Sequence, residues 1–193
     1  MFSFRRPSQV QVDAVLEAVS GKPFAYPSVG QTGDSETLQA GWTVDRSVIE
    51  LGRGVDLFER ARAAIQRWVM FQLGWVSIYP APVAVGAEVA VLARVPGLWV
   101  LNTCRVVYVV DEPQRYGFAY GTLPTHVERG EERFLVRHDP LDDSVWFEIL
   151  AVSRPNHWLA VLGYPYVRRL QRRFGRDALA AMTRAVAEPP AGS

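Results

Sequence analysis

Apolar positions along this chain follow two periods, and each change of period marks an element. Val12, Val15, Leu16 and Val19 recur at helical spacing behind Ser8, a good N-cap, and Gly21 closes the run, so a first helix is predicted here. The next stretch, KPFAYPSVGQTGD, is rich in Pro and Gly and reads as loop. GWTVDRSVIEL, Gly41 to Leu51, mixes β-branched and charged residues as a half-buried strand does. In GRGVDLFERARAAIQRWVMFQL, residues Leu57, Phe58, Ala61, Ala64, Ile65 and Trp68 form the stripe of a second helix, with Arg60, Arg62 and Arg67 away from it. Strands are then predicted near 75–79, 88–95, 98–110, 115–122, 131–138 and 144–153. Their close spacing favours an antiparallel meander over parallel crossovers. Leu162, Tyr166, Leu170, Phe174, Ala178, Ala181 and Ala185 give a long last helix, which Pro165 is expected to kink or restart.

The expected fold class is therefore α+β: a curved antiparallel β-sheet wrapped around a long C-terminal helix, with additional N-terminal helices. One domain is expected over residues 1–187, with 188–193 a disordered tail. Such a sheet and helix leave a cavity between them, a natural ligand pocket.

Composition narrows the partners. The formal net charge is +1, which offers no general field for nucleic acid. Cys104 is the single cysteine, so no intrachain disulfide forms, as in a reducing, cytoplasmic setting. The N-terminal MFSFRRPSQV lacks the apolar run of a signal peptide. The uncharged stretch 68–87 holds Gly74, Pro80, Pro82 and Gly86, which argue against a spanning helix.

Several motifs lose their chemistry in context. GRGVDL lacks the third glycine and the βαβ setting of a dinucleotide site, so Gly52 and Gly54 read as the turn into a helix. His126-Val127-Glu128 matches the HxE of zinc deaminases, but one cysteine cannot supply the Pro-Cys-x-x-Cys partner. His126, His138 and His157 have no metal-ligand spacing, so neither metal nor cofactor is expected. Cys104 lies in an apolar strand and reads as a small buried group. Arg168, Arg172 and Arg176 stack at four-residue steps within RRLQRRFGR, a solvated face by default.

Alternation sorts the central hairpin by face. Tyr116, Phe118, Tyr120 and Thr122 share one side, and Gly117, Ala119 and Gly121 the other, where another element can approach closely. Glu132, Phe134, Val136 and His138 share a side, and Glu131, Arg133, Leu135 and Arg137 the opposite one. Glu131 and Glu132 therefore cannot converge as an acid/base pair. Val145, Phe147, Ile149, Ala151 and Ser153 form an apolar face against Trp146 and Glu148, and Arg133 is a cross-strand partner for Glu148.

The blocks YPSVGQT, GRGVDLFERARAAIQRW, CRVVYVVDE, RYGFAYGTLPTHVERGEERFLV, DDSVWFEILAVSRP and GYPYVRRLQRRF resemble the domain-of-unknown-function family nineteen-ninety, also termed uncharacterised protein family 0548. The resemblance spans roughly residues 2–185. It implies a helix-grip, START-like fold of the polyketide-cyclase-like group, which commonly binds hydrophobic ligands between sheet and helix, and it carries no reaction or catalytic residues.

The expected function is binding of a hydrophobic or amphipathic small molecule, lined by Tyr108, Tyr116, Phe118, Tyr120, Phe134 and Phe147, with Trp99 adding to the aromatic supply. Arg105, Thr122, Glu132 and Ser153 are the candidates to orient its polar end. Two alternatives stand beside it. One is a cofactor-free cyclase, isomerase or hydrolase with Glu132 as base and Tyr120 or Arg105 stabilising negative charge. The other is an interaction module using the Arg-rich helix.

Overall fold

The computed structural model describes residues 1–33, 41–155 and 164–187. His157, Leu162 and the tail at 188–193 lie outside the described residues. The elements run β1 (Phe2–Ser3), α1 (Gln9–Val19), β2 (Thr43–Arg53), α2 (Val55–Gln66), a 3-10 turn (Val69–Phe71), β3 (Val76–Tyr79), β4 (Glu88–Val95), β5 (Leu98–Glu112), β6 (Arg115–Thr122), β7 (Glu128–His138), β8 (Ser144–Pro155) and α3 (Tyr164–Ala187). The main strands form one antiparallel sheet in the order β2-β8-β7-β6-β5-β4-β3, with β1 pairing to β5. The sheet curls, and α3 lies in its concave face, which is the helix-grip, START-like α+β architecture.

Ser8 caps α1 in a reciprocal capping box with Gln11. Val12 of α1 packs on Ala90, Leu92 and Leu101, so this helix covers the outer side of the sheet. Gly52 and Gly54 take φ of 137° and 102°, the turn into α2. The α2 stripe of Phe58, Ala61, Ala64 and Ile65 is buried. The helix ends at Gln66, because Trp68 turns to the left-handed region at φ 55° and swings its ring onto Phe118, centroids 4.5 Å apart. Trp68 Nε1 donates to the Ala81 carbonyl at 2.9 Å, which satisfies the indole inside the core. Pro165 falls in the first turn of α3, where a missing N–H breaks no helical hydrogen bond.

Phe71 of the 3-10 turn meets Phe134, and Phe134 meets Phe118, each at a centroid distance of 5.3 Å. This packed aromatic block fills one half of the concave face. The other half, under the first turns of α3, is where the cavity lies.

The strand beginning differs from the expected one at β7, which starts at Glu128 and not at 131. Gly130, at φ 151°, carries the strand past a point where a side chain would strike the Val152 carbonyl and Ser153 backbone. Much of HVERGEE is therefore ladder, and only 123–127 connects β6 to β7.

Candidate functional site

Period-two counting through Gly130 puts Glu128, Gly130 and Glu132 on one face of β7, and that face looks into a cavity of about 350 Å³. The pocket volumes typical of small-molecule sites begin at about 300 Å³. Trp75, Val91, Ala93, Ile149, Leu170 and Phe174 make its apolar walls. The polar end is built by β7 with its neighbours: Tyr120 and Thr122 of β6, Ser153 of β8, Asp45 and Ser47 of β2, His126 of the connection and Gln171 of α3.

Glu132 is walled in by protein, yet part of its surface stays open to the cavity. Tyr120 Oη donates to its Oε2 at 2.7 Å. Burial first, and then the nearby charges of Glu128 and Asp45, push the Glu132 carboxyl up to about 7, against the opposing hydrogen bond from Tyr120. Glu128 is raised above the ordinary carboxylate range by burial, offset in part by Gln171 and Arg168. Burial and the charge of Glu132 hold the Tyr120 phenol well above its ordinary range, so it remains a donor.

A polar chain ties α3 to this end. Arg168 makes a bidentate pair with Asp45, its Nη2 2.5 Å from Oδ1, and its Nη1 donates to Gln171 Oε1 at 2.6 Å. Gln171 Nε2 in turn donates to Glu128 Oε1 and Oε2 at 2.8 and 2.9 Å. Arg168 thus turns toward the sheet, while Arg172 and Arg176 of the expected stack are exposed. His126 Nδ1 accepts from the Glu128 backbone N–H at 3.0 Å, and burial lowers the imidazole to about 4, which keeps it neutral near pH 7. Cys104, fully buried, is raised by burial and by Glu132, so it stays a thiol.

Of the residues singled out from sequence, the structure brings Tyr120, Thr122, Glu132 and Ser153 together around the cavity. Phe118, Phe134 and Phe147 point to the same face but are fully buried in the block under α2 and the 3-10 turn. Tyr116 belongs to that block too, with the Arg62 guanidinium 4.9 Å over its ring. Trp99 packs with the α1 cluster.

Arg105 and Tyr108 are placed on the outer face. Arg105 lies between inward Cys104 and Val106 and reaches outward to Glu88, at 2.6 Å, and to the Lys22 carbonyl, at 2.8 Å. A bulge between Val106 and Tyr108 shifts the register so that Tyr108 pairs with outward-facing Ala119, and its hydroxyl meets Thr32 Oγ1 at 2.9 Å. Sequence reasoning missed Glu128, Asp45, Gln171 and His126 as cavity residues. Only Glu128 had a local signal, the two-residue step back from Glu132 through Gly130.

Glu131, the neighbour of Glu132, has a different environment. It is 2% exposed on the outer side of the sheet. The segment YPSVGQT closes over it: Tyr26 Oη donates at 2.7 Å, the Gly30 and Thr32 backbone N–H groups donate at 2.7 and 2.9 Å, and Thr32 Oγ1 donates as well. Tyr26 and Phe24 lie against Gly121, where any side chain would displace them. Arg133 bridges this segment to the sheet, donating to the Thr32 carbonyl at 2.8 Å and to Glu148 at 2.7 Å. The Arg133–Glu148 pair is diagonal, since Arg133 faces Leu150 across the ladder. Both glutamates that could crowd the site, Glu131 and Glu148, are thus held on the outer side.

Among the described residues no group of three or more His, Cys, Asp or Glu is arranged to hold a metal ion, and no helix is long and apolar enough to cross a membrane.

Comparison with known proteins gives a consistent picture. A family model described as Domain of unknown function (DUF1990) matches residues 25–181. A UPF0548 protein of Dictyostelium discoideum is 36% identical over 207 residues, covering 96% of each chain. A UPF0548 protein of Deinococcus radiodurans is 36% identical over 199 residues, covering 96% of this chain and 98% of the relative. Among solved structures, the di-domain ARO/CYC BexL from the BE-7585A biosynthetic pathway has a TM-score of 0.52 at 16% identity, over 77% of this chain and 51% of that one. At that identity the likeness is one of fold.

Proposed function

The chain belongs to the DUF1990 family, and from that premise we propose that it binds an apolar or amphipathic small molecule between the sheet and α3. The observation that carries this reading is the cavity of about 350 Å³ beside a densely packed aromatic core. Apolar walls with a few convergent polar groups at one end are what ligand pockets commonly have. Interiors are otherwise packed like organic crystals, so a space this large costs stability unless something fills it.

The test is fluorescence titration with the neutral probe N-phenylnaphthylamine. Saturable enhancement is expected, and Ala151→Phe, which fills the cavity wall, is expected to weaken binding at least about tenfold. Absence of saturable binding, or equal binding by the folded variant, would overturn the reading.

A second reading is favoured by Glu132. Its carboxyl titrates at about 7, opens to the cavity and has a phenol donor 2.7 Å away, a disposition suited to cofactor-free proton transfer. Incubating a small-molecule extract with the protein and with Glu132→Gln, followed by untargeted mass spectrometry, tests it. The enzyme reading expects a compound consumed by the unaltered protein and at least about a hundredfold more slowly by the variant. It is discarded if the two profiles coincide.

A further inference from the structure

We propose that the cavity selects a ligand whose polar end donates hydrogen bonds, a protonated amine above all and a hydroxyl next, and that it rejects carboxylates and phosphates. This inference rests on the binding reading and concerns the head group that the same cavity takes. The site is the cavity itself. What fixes the head group is which charges face into it and which face away.

Four acidic residues border the cavity; Glu132 and Glu128 from β7 and Asp45 from β2 turn their carboxylates to it, whereas the Glu131 carboxylate is held by Tyr26, Gly30 and Thr32 on the outer side. The cation beside them, Arg168 of α3, is engaged with both oxygens of Asp45 and with Gln171 Oε1. The other guanidiniums near this part of the sheet lie on its outer side. Arg105 is held by Glu88, and Arg46 and Arg133 converge on Glu148. Alternation along β2, β5 and β7 thus sends Arg46, Arg105 and Arg133 outward, where Glu148 and Glu88 pair with them, and turns Asp45, Glu128 and Glu132 inward.

The acceptors are also under-used. A carboxylate offers about four acceptor sites. Among the described residues, Glu132 takes one side-chain hydrogen bond, from Tyr120 to Oε2. Glu128 takes its side-chain bonds from the single amide group of Gln171. Ser153 Oγ, 3.4 Å from Gln171 Nε2, completes the rim. An ammonium group brings three donors and no acceptor, the complement of this lining. A ligand carboxylate would bring two more acceptors and a like charge into a low-dielectric space, where repulsion is poorly screened.

The apolar walls set the rest of the ligand. Trp75, Leu170 and Phe174 continue from the acidic end, so an alkyl or aromatic body extends away from the amine.

The experiment is displacement of N-phenylnaphthylamine from the full chain by decylamine, decanol and decanoate, three probes with one tail and different heads. Decylamine is expected to bind at least about tenfold more tightly than decanoate near neutral pH, with decanol between them. Glu132→Gln, close in shape, is expected to reduce that amine-to-carboxylate ratio to within about threefold, and Glu128→Gln to reduce it in the same direction. Equal binding of the three probes, tighter binding of decanoate, or an unchanged ratio in both variants would overturn the head-group assignment while leaving the binding reading intact. Displacement by none of the three, together with no probe binding, would overturn both.

Discussion

Glu131→Gln is expected to destabilise the protein by about 3 kcal/mol, measured as a lower midpoint in urea unfolding. Glu131 is almost wholly buried and accepts from Tyr26 Oη, the Gly30 and Thr32 backbone N–H groups and Thr32 Oγ1. These donors come from one segment, so a single carboxylate anchors YPSVGQT to β7. Glutamine keeps the shape but replaces one oxygen with an NH₂ group. That group faces donors, so at least one buried N–H or O–H loses its partner. Hydrogen bonds to charged acceptors contribute about 1.5–3 kcal/mol each, and an orphaned buried donor costs a comparable amount. A change within about 0.5 kcal/mol would mean that the anchor is not structural.

Glu132→Gln is expected to act in the opposite direction, and only at higher pH. The folded-state pKa of Glu132 is raised from 4.5 to about 7, mainly by burial. A raised carboxyl pKa means that the folded chain binds a proton the unfolded chain has already released. The penalty is absent below the unfolded value, grows between about pH 4.5 and about pH 7, and is complete above that range. At about 1.4 kcal/mol per unit, it reaches up to about 3 kcal/mol. Tyr120, Glu128 and Asp45 act on the group, and glutamine can still accept from Tyr120. The variant should therefore be more stable than the unaltered protein by up to about 3 kcal/mol at about pH 8 and nearly equal to it at about pH 4.5. Equal shifts at both pH values, or destabilisation at the higher one, would show that Glu132 is not a buried, strained carboxylate.

These neighbours differ because β7 sends them to opposite sides of the sheet, and that much was legible in the sequence. Alternation assigned Glu131 and Glu132 to different faces, placed Tyr120 and Thr122 together, and put Ser153 with Ile149 and Ala151. The helix stripes and the meander were also readable, because each rests on local periodicity. The less legible features have specific physical causes. EERF preceded by Gly130 reads as a strand emerging from a turn, and only the ladder to β8 reveals that Glu128 is already paired, with Pro155. The β5 bulge that turns Tyr108 outward leaves no mark in a run of Val and Tyr. The phenylalanines of the inner face look alike in sequence. Whether they line a space or fill one depends on where Trp68 and the 3-10 turn land, which is a tertiary outcome. Asp45 and Arg168 meet across 123 positions, beyond the reach of any local pattern.

The polar chain from Asp45 through Arg168 and Gln171 to Glu128 gives α3 a second role. It closes the cavity and also positions the amide that partners Glu128. The acidic end of the cavity is therefore coupled to the first turns of this helix by direct hydrogen bonds. The exposed Arg172 and Arg176 lie on the same helix but outside this chain of contacts.

The central claim, that the space between the sheet and α3 holds a ligand, is tested most directly by a crystal structure of the protein with N-phenylnaphthylamine. The account predicts one probe molecule under α3, its rings against Ala151, Leu170 and Phe174 and its amine directed toward Glu132. A probe seated only on the outer face, or a cavity left unfilled under saturating probe, would contradict it.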